Sequence, residues 1–394
     1  MDDIVYLDYA ATSAVRPEAV ADAVARYLRD VGATPGRSGH RRAVDAGRIA
    51  LRCRRALAEL FGARGDPGRV AFQLNATLAL NVALHGLLRP GARVVRTRYD
   101  HNAVRRAVAL LAARGVEETV VGGAADGSID LDEVERAVAG EGRPAAVLAV
   151  PHASNVLGTA LPLAALAEVA HAHGARLVVD AAQSAGHLPI DVEAMGIDVL
   201  AFTGHKGLLG PQGTGGLYLR EGVEIDPLLA GGTGGDSMAV AMPEAMPDRL
   251  EPGTQNGPGI AGLLAGVEWL LERGIDAVHA REAALKDRLR TRLAETPCVR
   301  VLSPAAPDGV GIVTFTVDGV EPHEAAARLD REHAVLCRAG LHCAPEPHQL
   351  LGTAETGAVR FSVGWATNEA EVDRAAAAVA ALAGARETMG AARG

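Results

Sequence analysis

The chain has 394 residues, 48% of them hydrophobic and 22% charged, which suits a globular protein with sizeable cores and, at this length, two domains. A formal charge of −9 excludes the basic footprint that nucleic acid or an anionic membrane requires, and no apolar run is long enough to span a bilayer. The acidic opening MDDIVYLDYA lacks a signal peptide's basic start and apolar middle, and the four cysteines are too irregularly spaced for a disulfide framework, so a cytoplasmic protein with free thiols is expected.

Along the chain, Cys53 falls on an amphipathic helix with Ile49, Leu57 and Leu60 at helical spacing, the setting of a core cysteine. QLNATLALNVALHGLL (73–88) reads as a helix that Asn75 caps. The amides of Ala76 and Thr77 would open it, either as an ordinary capped helix or as a phosphate site. Nearly continuous apolar runs follow at AAVLAV (145–150), ARLVVD (175–180) and DVLAFT (198–203), with a helical pattern, LPLAALAEVAHAHG (161–174), between the first two. This alternation predicts a doubly wound, mainly parallel α/β domain whose ligands gather at the carboxyl ends of strands. On that helix His171 and His173 are two apart and point to different faces, as surface residues do.

Two strand ends carry chemistry. Asp180 closes ARLVVD, with Gln183 three residues on; Lys206 follows DVLAFT in a glycine-rich stretch that leads to another strand-like run, GGLYL. Of 39 Lys+Arg residues only Lys206 and Lys286 are lysines. Arginine stays protonated, whereas a lysine amine can be made neutral and nucleophilic. Lys286 lies between Arg281 and Arg288 on a charged helix, where exposure to solvent is expected. Asp180 could simply cap the next element. Beside a pyridine ring it would instead keep the ring nitrogen protonated, and a strand-end Asp with a strand-end Lys is the pair that pyridoxal phosphate (PLP) chemistry needs. The Gly- and Pro-rich zone at 231–262 reads as a linker or functional loop. Its GPGIAG follows a loop rather than a strand, which argues against a dinucleotide site. Beyond it, a helix at 276–295, the strand candidates VRVLSP, VGIVTFTV, HAVLCR and AVRFSVG, and a terminal helix predict a smaller α+β domain.

Six segments occur in order: HASNVLGT (152–159), VDAAQS (179–184), TGHKGLLGPQGTGGLY (203–218), EPGTQN (251–256), RAGLHCAP (338–345) and VRFSVGWATNEAEVD (359–373). With them the chain resembles, over nearly its whole length, a cysteine desulfurase of the class V aminotransferase family, in the group with an R-x-G-x-H-C-A active-site motif. The resemblance implies a fold-type I PLP-dependent transferase. Its parts would be an N-terminal segment near the active site (1–15), a large PLP-binding domain (16–256) and a small C-terminal domain carrying the cysteine loop (257–394). Lys206 would carry the cofactor covalently, Asp180 would face the pyridine nitrogen, and Gln183 the phenolic oxygen. Asn155 would lie near that oxygen and the substrate, and His101, in YDHNAV, would stack on the ring. Thr77, Thr203 and His205, with the amide of Ala76, would hold the phosphate. Gly253 and Thr254 would reach the partner's phosphate in a homodimer. Arg360 would form a bidentate pair with the substrate carboxylate. Tyr9 stands where the family commonly has asparagine, a departure close to the substrate.

Cys337, His342, Cys343 and His348 crowd into one stretch, yet five residues separate the two cysteines, against the two to four usual in zinc-binding pairs, so no metal is expected. Cys337 ends an apolar run, where a packed thiol is ordinary; Cys343 follows a glycine turn in a proline-containing loop, where a thiol is accessible. The resemblance implies L-cysteine, or selenocysteine, as substrate. Lys206 would remove the Cα proton, and Cys343 would attack the substrate sulfur as a thiolate, leaving alanine and a persulfide destined for a sulfur-acceptor protein. His342, on the substrate side with Asn155 and Arg360, or else His101, would help to form the thiolate. A selenocysteine lyase would use much the same residues, whereas another aminotransferase-type or epimerase activity on this fold would not need Cys343. Lys206, Asp180 and His101 together speak against a non-enzymatic scaffold.

Overall fold

The computed structural model describes residues 4–391 apart from 37–38 and 236–237. The chain opens with β1 (Val5–Tyr6), α1 (Glu18–Arg26), which continues as a π-helical turn to Val31, and α2 (Arg41–Leu60). There follow β2 (Val70–Gln73), α3 (Ala76–Leu87), β3 (Arg93–Thr97), α4 (Asn102–Ala112), β4 (Glu117–Val121) and α5 (Leu131–Ala139). Next come β5 (Val147–Pro151), α6 (Leu163–Ala172), β6 (Arg176–Asp180), β7 (Val199–Thr203) and β8 (Gly215–Leu219). Two long helices, α7 (Gly257–Arg273) and α8 (Ile275–Ala294), lead to β9 (Val299–Val301), β10 (Ile312–Val317) and α9 (Pro322–His333). The chain finishes with β11 (Val335–Leu336), β12 (Arg338–Gly340), α10 (Pro345–Leu350), β13 (Ala358–Ser362) and α11 (Glu369–Ala391).

Seven strands form the main sheet in the order β2-β8-β7-β6-β5-β3-β4. The inner strands pair in parallel, and only β8 runs against its neighbours β7 and β2. Every residue of β5, β7 and β8 is buried, which is why these segments read as unbroken apolar runs. Register matters for function: Pro151 pairs with Asp180 and Asp180 with Ala201, so the carboxyl ends of β5, β6 and β7 reach one rim together. The predicted helix at 73–88 forms as α3, with Asn75 Oδ1 accepting from Leu78 N at 3.0 Å. Gly215 lets that helix start sit against β8, since a Cβ there would come within 2.8 Å of Asn75 Cα.

The small antiparallel sheet has the order β12-β13-β10-β9, and its core sets Phe315 edge-on to Phe361 with ring centroids 5.0 Å apart. The N-terminal segment stitches the two layers together. β1 pairs with β11, Ala10 N donates to Ser362 Oγ at 2.9 Å, and Ser13 Oγ donates to the Lys206 carbonyl at 2.9 Å. α7, which opens the 257–394 division, buries Ile260, Leu263 and Val267 in the core of the large sheet and packs on α1 and α2.

The structure corrects the expectation for Lys286. Lys286 is not solvent-exposed: its side chain is 3% accessible, and its amine donates to the Ala306 carbonyl under the loop after β9. A charged helix pattern cannot show which loop will later cover it. Cys53 is fully buried, as its helical spacing predicts, while His171 and His173 stay near the surface and lie 2.7 and 3.4 Å from carboxylates of Asp198 and Glu135. Among the described residues no helix is long and apolar enough to cross a membrane.

One buried ion pair meets the outer edge of the large sheet at β2. Arg54 donates twice to Glu251, at 2.6 and 2.7 Å, and Glu251 Oε1 also accepts from Phe72 N at 2.6 Å. Removing the carboxylate leaves a buried guanidinium unpaired, so Glu251→Ala is expected to lower unfolding stability by about 3 kcal/mol. Urea denaturation of the variant beside the parent measures it.

Candidate active site

The rim where β5, β6 and β7 end opens into a cavity of about 210 Å³. Its walls include Asn75, Ala76 and Thr77 at the start of α3, His101 at the cap of α4, Asn155 after β5, and Asp180 and Gln183 at the end of β6. Thr203, His205 and Lys206 close it from the end of β7. Nine of the predicted site residues, from five separate stretches of sequence, therefore meet in one cavity.

Loss of hydration at the cavity wall lowers the Lys206 amine to about 8, and the cations Arg360 and Arg338 push the same way, outweighing the opposing pull of Asp180. Burial raises the Asp180 carboxyl, against the amide of Ala182, which donates to it at 2.9 Å, and against Lys206. His101 is held down at about 4 by burial first and by Lys206 and Arg338 next, so its ring is neutral at ordinary pH. His101 Nδ1 accepts from Ala103 N at 3.1 Å as the helix cap, which places the ring proton on Nε2. The atom it offers elsewhere is thus a donor. His205 is also lowered to about 4 by burial and by Lys206, and its Nδ1 lies 3.1 Å from Thr12 Oγ1.

A second group of side chains arrives from the small antiparallel sheet and the turn after it. Arg338 and Arg360 are directly paired across β12 and β13, so two cations share one face of that sheet. Like charges placed opposite each other repel. Arg360, 1% exposed, meets this by donating from Nη2 to Asp8 Oδ1 and from Nη1 to the Asn155 carbonyl, each at 3.0 Å, while its Nε has no partner among the described residues. Arg338 Nη2 lies 3.7 Å from Cys343 Sγ.

Cys343 is exposed on a four-residue turn closed by Ala344 N donating to the Leu341 carbonyl at 2.9 Å. Both central residues are left-handed, His342 at φ 52° and Cys343 at φ 58°, the pattern that normally calls for Asn-Gly. Each side chain held there costs about 1–3 kcal/mol. Two hydrogen bonds from the carboxyl-end side of the main sheet offset part of this. Asn155 Nδ2 donates to the His342 carbonyl at 2.6 Å, and Asn102 N donates to the Cys343 carbonyl at 2.8 Å. Since Asn155 lines the cavity and Asn102 follows His101, the thiol is fixed beside the Lys206 cavity.

Other predicted residues sit apart from it. Gly253 and Thr254 are exposed, and Thr254 lines a separate cleft with Leu74 and Leu229. The His342 side chain is buried and turned toward His348. Cys337 is mostly enclosed and packs against the small-domain core, and burial pushes its thiol up to about 12. Tyr9 is buried edge-on against Tyr6 and under Gly364, and it does not line the cavity. Among the described residues no group of three or more His, Cys, Asp or Glu side chains could hold a metal ion. Sequence reasoning missed Asp8, Tyr99 and Arg338. Tyr99 adjoins His101, and Asp8 and Arg338 lie inside segments already singled out, so proximity to a marked residue was the available signal.

Residues 5–375 match the class-V aminotransferase family, and the chain belongs to that family of PLP-dependent enzymes. A protein of Methanothermobacter thermautotrophicus described as a probable cysteine desulfurase is 33% identical, over 94% of this chain and 92% of its own length. The apo structure of the cysteine desulfurase from Thermococcus onnurineus matches with a TM-score of 0.89 and 31% identity, over 97% of this chain and 95% of that one. The cysteine desulfurase CsdA from Escherichia coli matches with a TM-score of 0.85 and 28% identity, over 95% and 94% of the two chains. The family and fold expected from the sequence segments are thereby borne out.

The cavity suits a phosphorylated pyridine aldehyde. The first-turn amides of α3, which a helix leaves without internal partners, open onto it. Thr203 Oγ1, buried beside them, has no partner within the described protein. An amine able to lose its proton and a carboxylate complete the donor set. With only two lysines to follow, competitive amine labelling of the cofactor-free protein across pH, with peptide mass mapping, tests the electrostatics. Lys206 is expected to gain reactivity with a midpoint at about 8 rather than the ordinary 10.5. Because its folded value is lowered, the reactive neutral form grows as pH rises through 8; a midpoint above 10 would contradict this.

Proposed function

We propose that the chain is a PLP-dependent cysteine desulfurase, which converts L-cysteine to L-alanine and receives the sulfur on Cys343 as a persulfide for delivery to an acceptor protein. The observation that carries this is an exposed thiol on a strained turn, held by two large-domain hydrogen bonds beside the Lys206 cavity. An aminotransferase or epimerase activity has no use for such a device.

Pyridoxal phosphate, when bound, supplies a protonated pyridine ring that draws electron density from the substrate Cα. Lys206 would hold it, with Ala76, Thr77, Thr203 and His205 at its phosphate, Asp180 keeping a proton on its ring nitrogen, and His101, Asn155 and Gln183 around the ring. Arg360 binds the substrate carboxylate; its free Nε and its second Nη hydrogens leave donors for a two-point contact. Lys206, neutral in a large fraction of molecules near pH 8, takes the Cα proton. The Cys343 thiolate then forms an S–S bond as the substrate's Cβ–S bond breaks. The bonding pair stays with carbon, which takes a proton to become the alanine methyl group, so no outside oxidant is needed. Asp8, already on Arg360, balances the cationic pair while the substrate carboxylate is absent.

A homodimer fits the position of Thr254. It is exposed in a cleft with exposed apolar Leu74 and Leu229, next to the α3 phosphate end, where a second copy would cover apolar surface and contribute Gly253 and Thr254.

Incubation of the purified holoenzyme with L-cysteine is expected to give alanine and a mass gain of one sulfur atom on the Cys343 peptide. Cys343→Ser should lower alanine formation by roughly two orders of magnitude. Full activity in that variant overturns the assignment, and faster turnover of selenocysteine than cysteine redirects it to a selenocysteine lyase. Arg360→Lys keeps the charge but loses the planar fork, so KM for cysteine should rise about tenfold with a smaller change in kcat.

A further inference from the structure

Behind the Cys343 turn runs a hydrogen-bonded line of side chains that the chemistry above does not use. His342 Nε2 lies 3.5 Å from the Arg338 carbonyl, His342 Nδ1 lies 3.3 Å from His348 Nε2, and His348 Nδ1 lies 2.8 Å from Thr353 Oγ1. All three side chains are buried, His348 completely, and the two rings are within 23° of parallel. A carbonyl can only accept, so His342 carries its proton on Nε2 and accepts at Nδ1. His348 must then donate from Nε2, which leaves its Nδ1 to accept from the Thr353 hydroxyl. One arrangement of protons satisfies the whole line, running from Thr353 through His348 and His342 to the Arg338 carbonyl.

Two consequences follow for the neighbouring thiol. His342 cannot take the Cys343 proton, because Nδ1 is already accepting and Nε2 is already protonated. Its ring is also fixed in place, and His342 is one of the two left-handed residues of the turn. We propose that His348 and Thr353 are positioning residues for Cys343: their hydrogen bonds fix the His342 ring and so hold the left-handed His342–Cys343 turn beside the cavity. The kinetic consequence rests on Cys343 being the sulfur acceptor; the effect on the turn does not.

The decisive comparison is Thr353→Val, of the same shape but without a donor, against Thr353→Ser, which keeps the hydroxyl, both as holoenzyme. The rate of Cys343 alkylation by iodoacetamide, mapped by mass spectrometry, reads the turn directly. In Thr353→Val alkylation should become at least about threefold faster as the turn loosens, while kcat falls about tenfold and KM for cysteine stays within about twofold, Arg360 being untouched. Thr353→Ser should remain within about twofold of the parent in every measure. His348→Leu should reproduce the Thr353→Val changes and serves in its place if that variant does not fold. An unchanged alkylation rate in Thr353→Val, or a Thr353→Ser protein as altered as Thr353→Val, overturns the proposal. Failure of the sulfur-acceptor assignment shows itself differently, as a Cys343→Ser enzyme with parental kcat, and alkylation alone then decides whether the turn is held.

Discussion

The site is built around one amine that has lost its water. Lys206 stands just past the end of β7, on a cavity wall made of four other chain segments, and there its proton is held weakly enough to leave near pH 8. Every neighbouring charge is arranged with respect to that fact. Asp180 supports the charged form, whereas Arg360 and Arg338 oppose it and come from a different sheet. His101 answers the same surroundings by staying neutral. Its helix-capping bond then decides which of its nitrogens faces outward with a proton.

The small sheet and the turn after β12 add cations and a thiol, and both arrive at a cost. β12 and β13 place Arg338 opposite Arg360, an unfavourable pairing unless anions are close by. Asp8 supplies one anion, brought by an N-terminal segment that runs from the small domain at β1 to the Lys206 carbonyl at Ser13. The turn carrying Cys343 places two side chains in left-handed conformations. Asn155 and Asn102 hold it from the large domain, while His342, His348 and Thr353 hold it from behind. The thiol's position therefore depends on hydrogen bonds from both sides of the turn.

Much of this could be read along the chain. Strand ends at Asp180 and Lys206, a capped helix start at Asn75, and a near absence of lysine all have local physical causes. Apolar runs mark buried strands, Asn caps a helix wherever it precedes one, and an amine kept where arginine is otherwise used invites a chemical reason. Lys286 shows the limit of the same logic. Its helix looks solvent-facing from the spacing of charges alone, yet the loop after β9 folds over it, and only the tertiary structure places that loop.

Composition, periodicity and the order of the motifs therefore determined the fold class, the layers, and most of the residues that line the cavity. Tertiary structure decided their states: which ring nitrogen of His101 and His342 bears the proton, that Arg360 is already paired with Asp8, and that Cys343 is held in a left-handed turn. The division has a physical basis. Propensity and burial pattern act over a few residues and leave a trace in the local sequence. Hydration, charge pairing and proton placement depend on groups as much as 352 residues apart, as Asp8 and Arg360 are, which meet only in the folded chain.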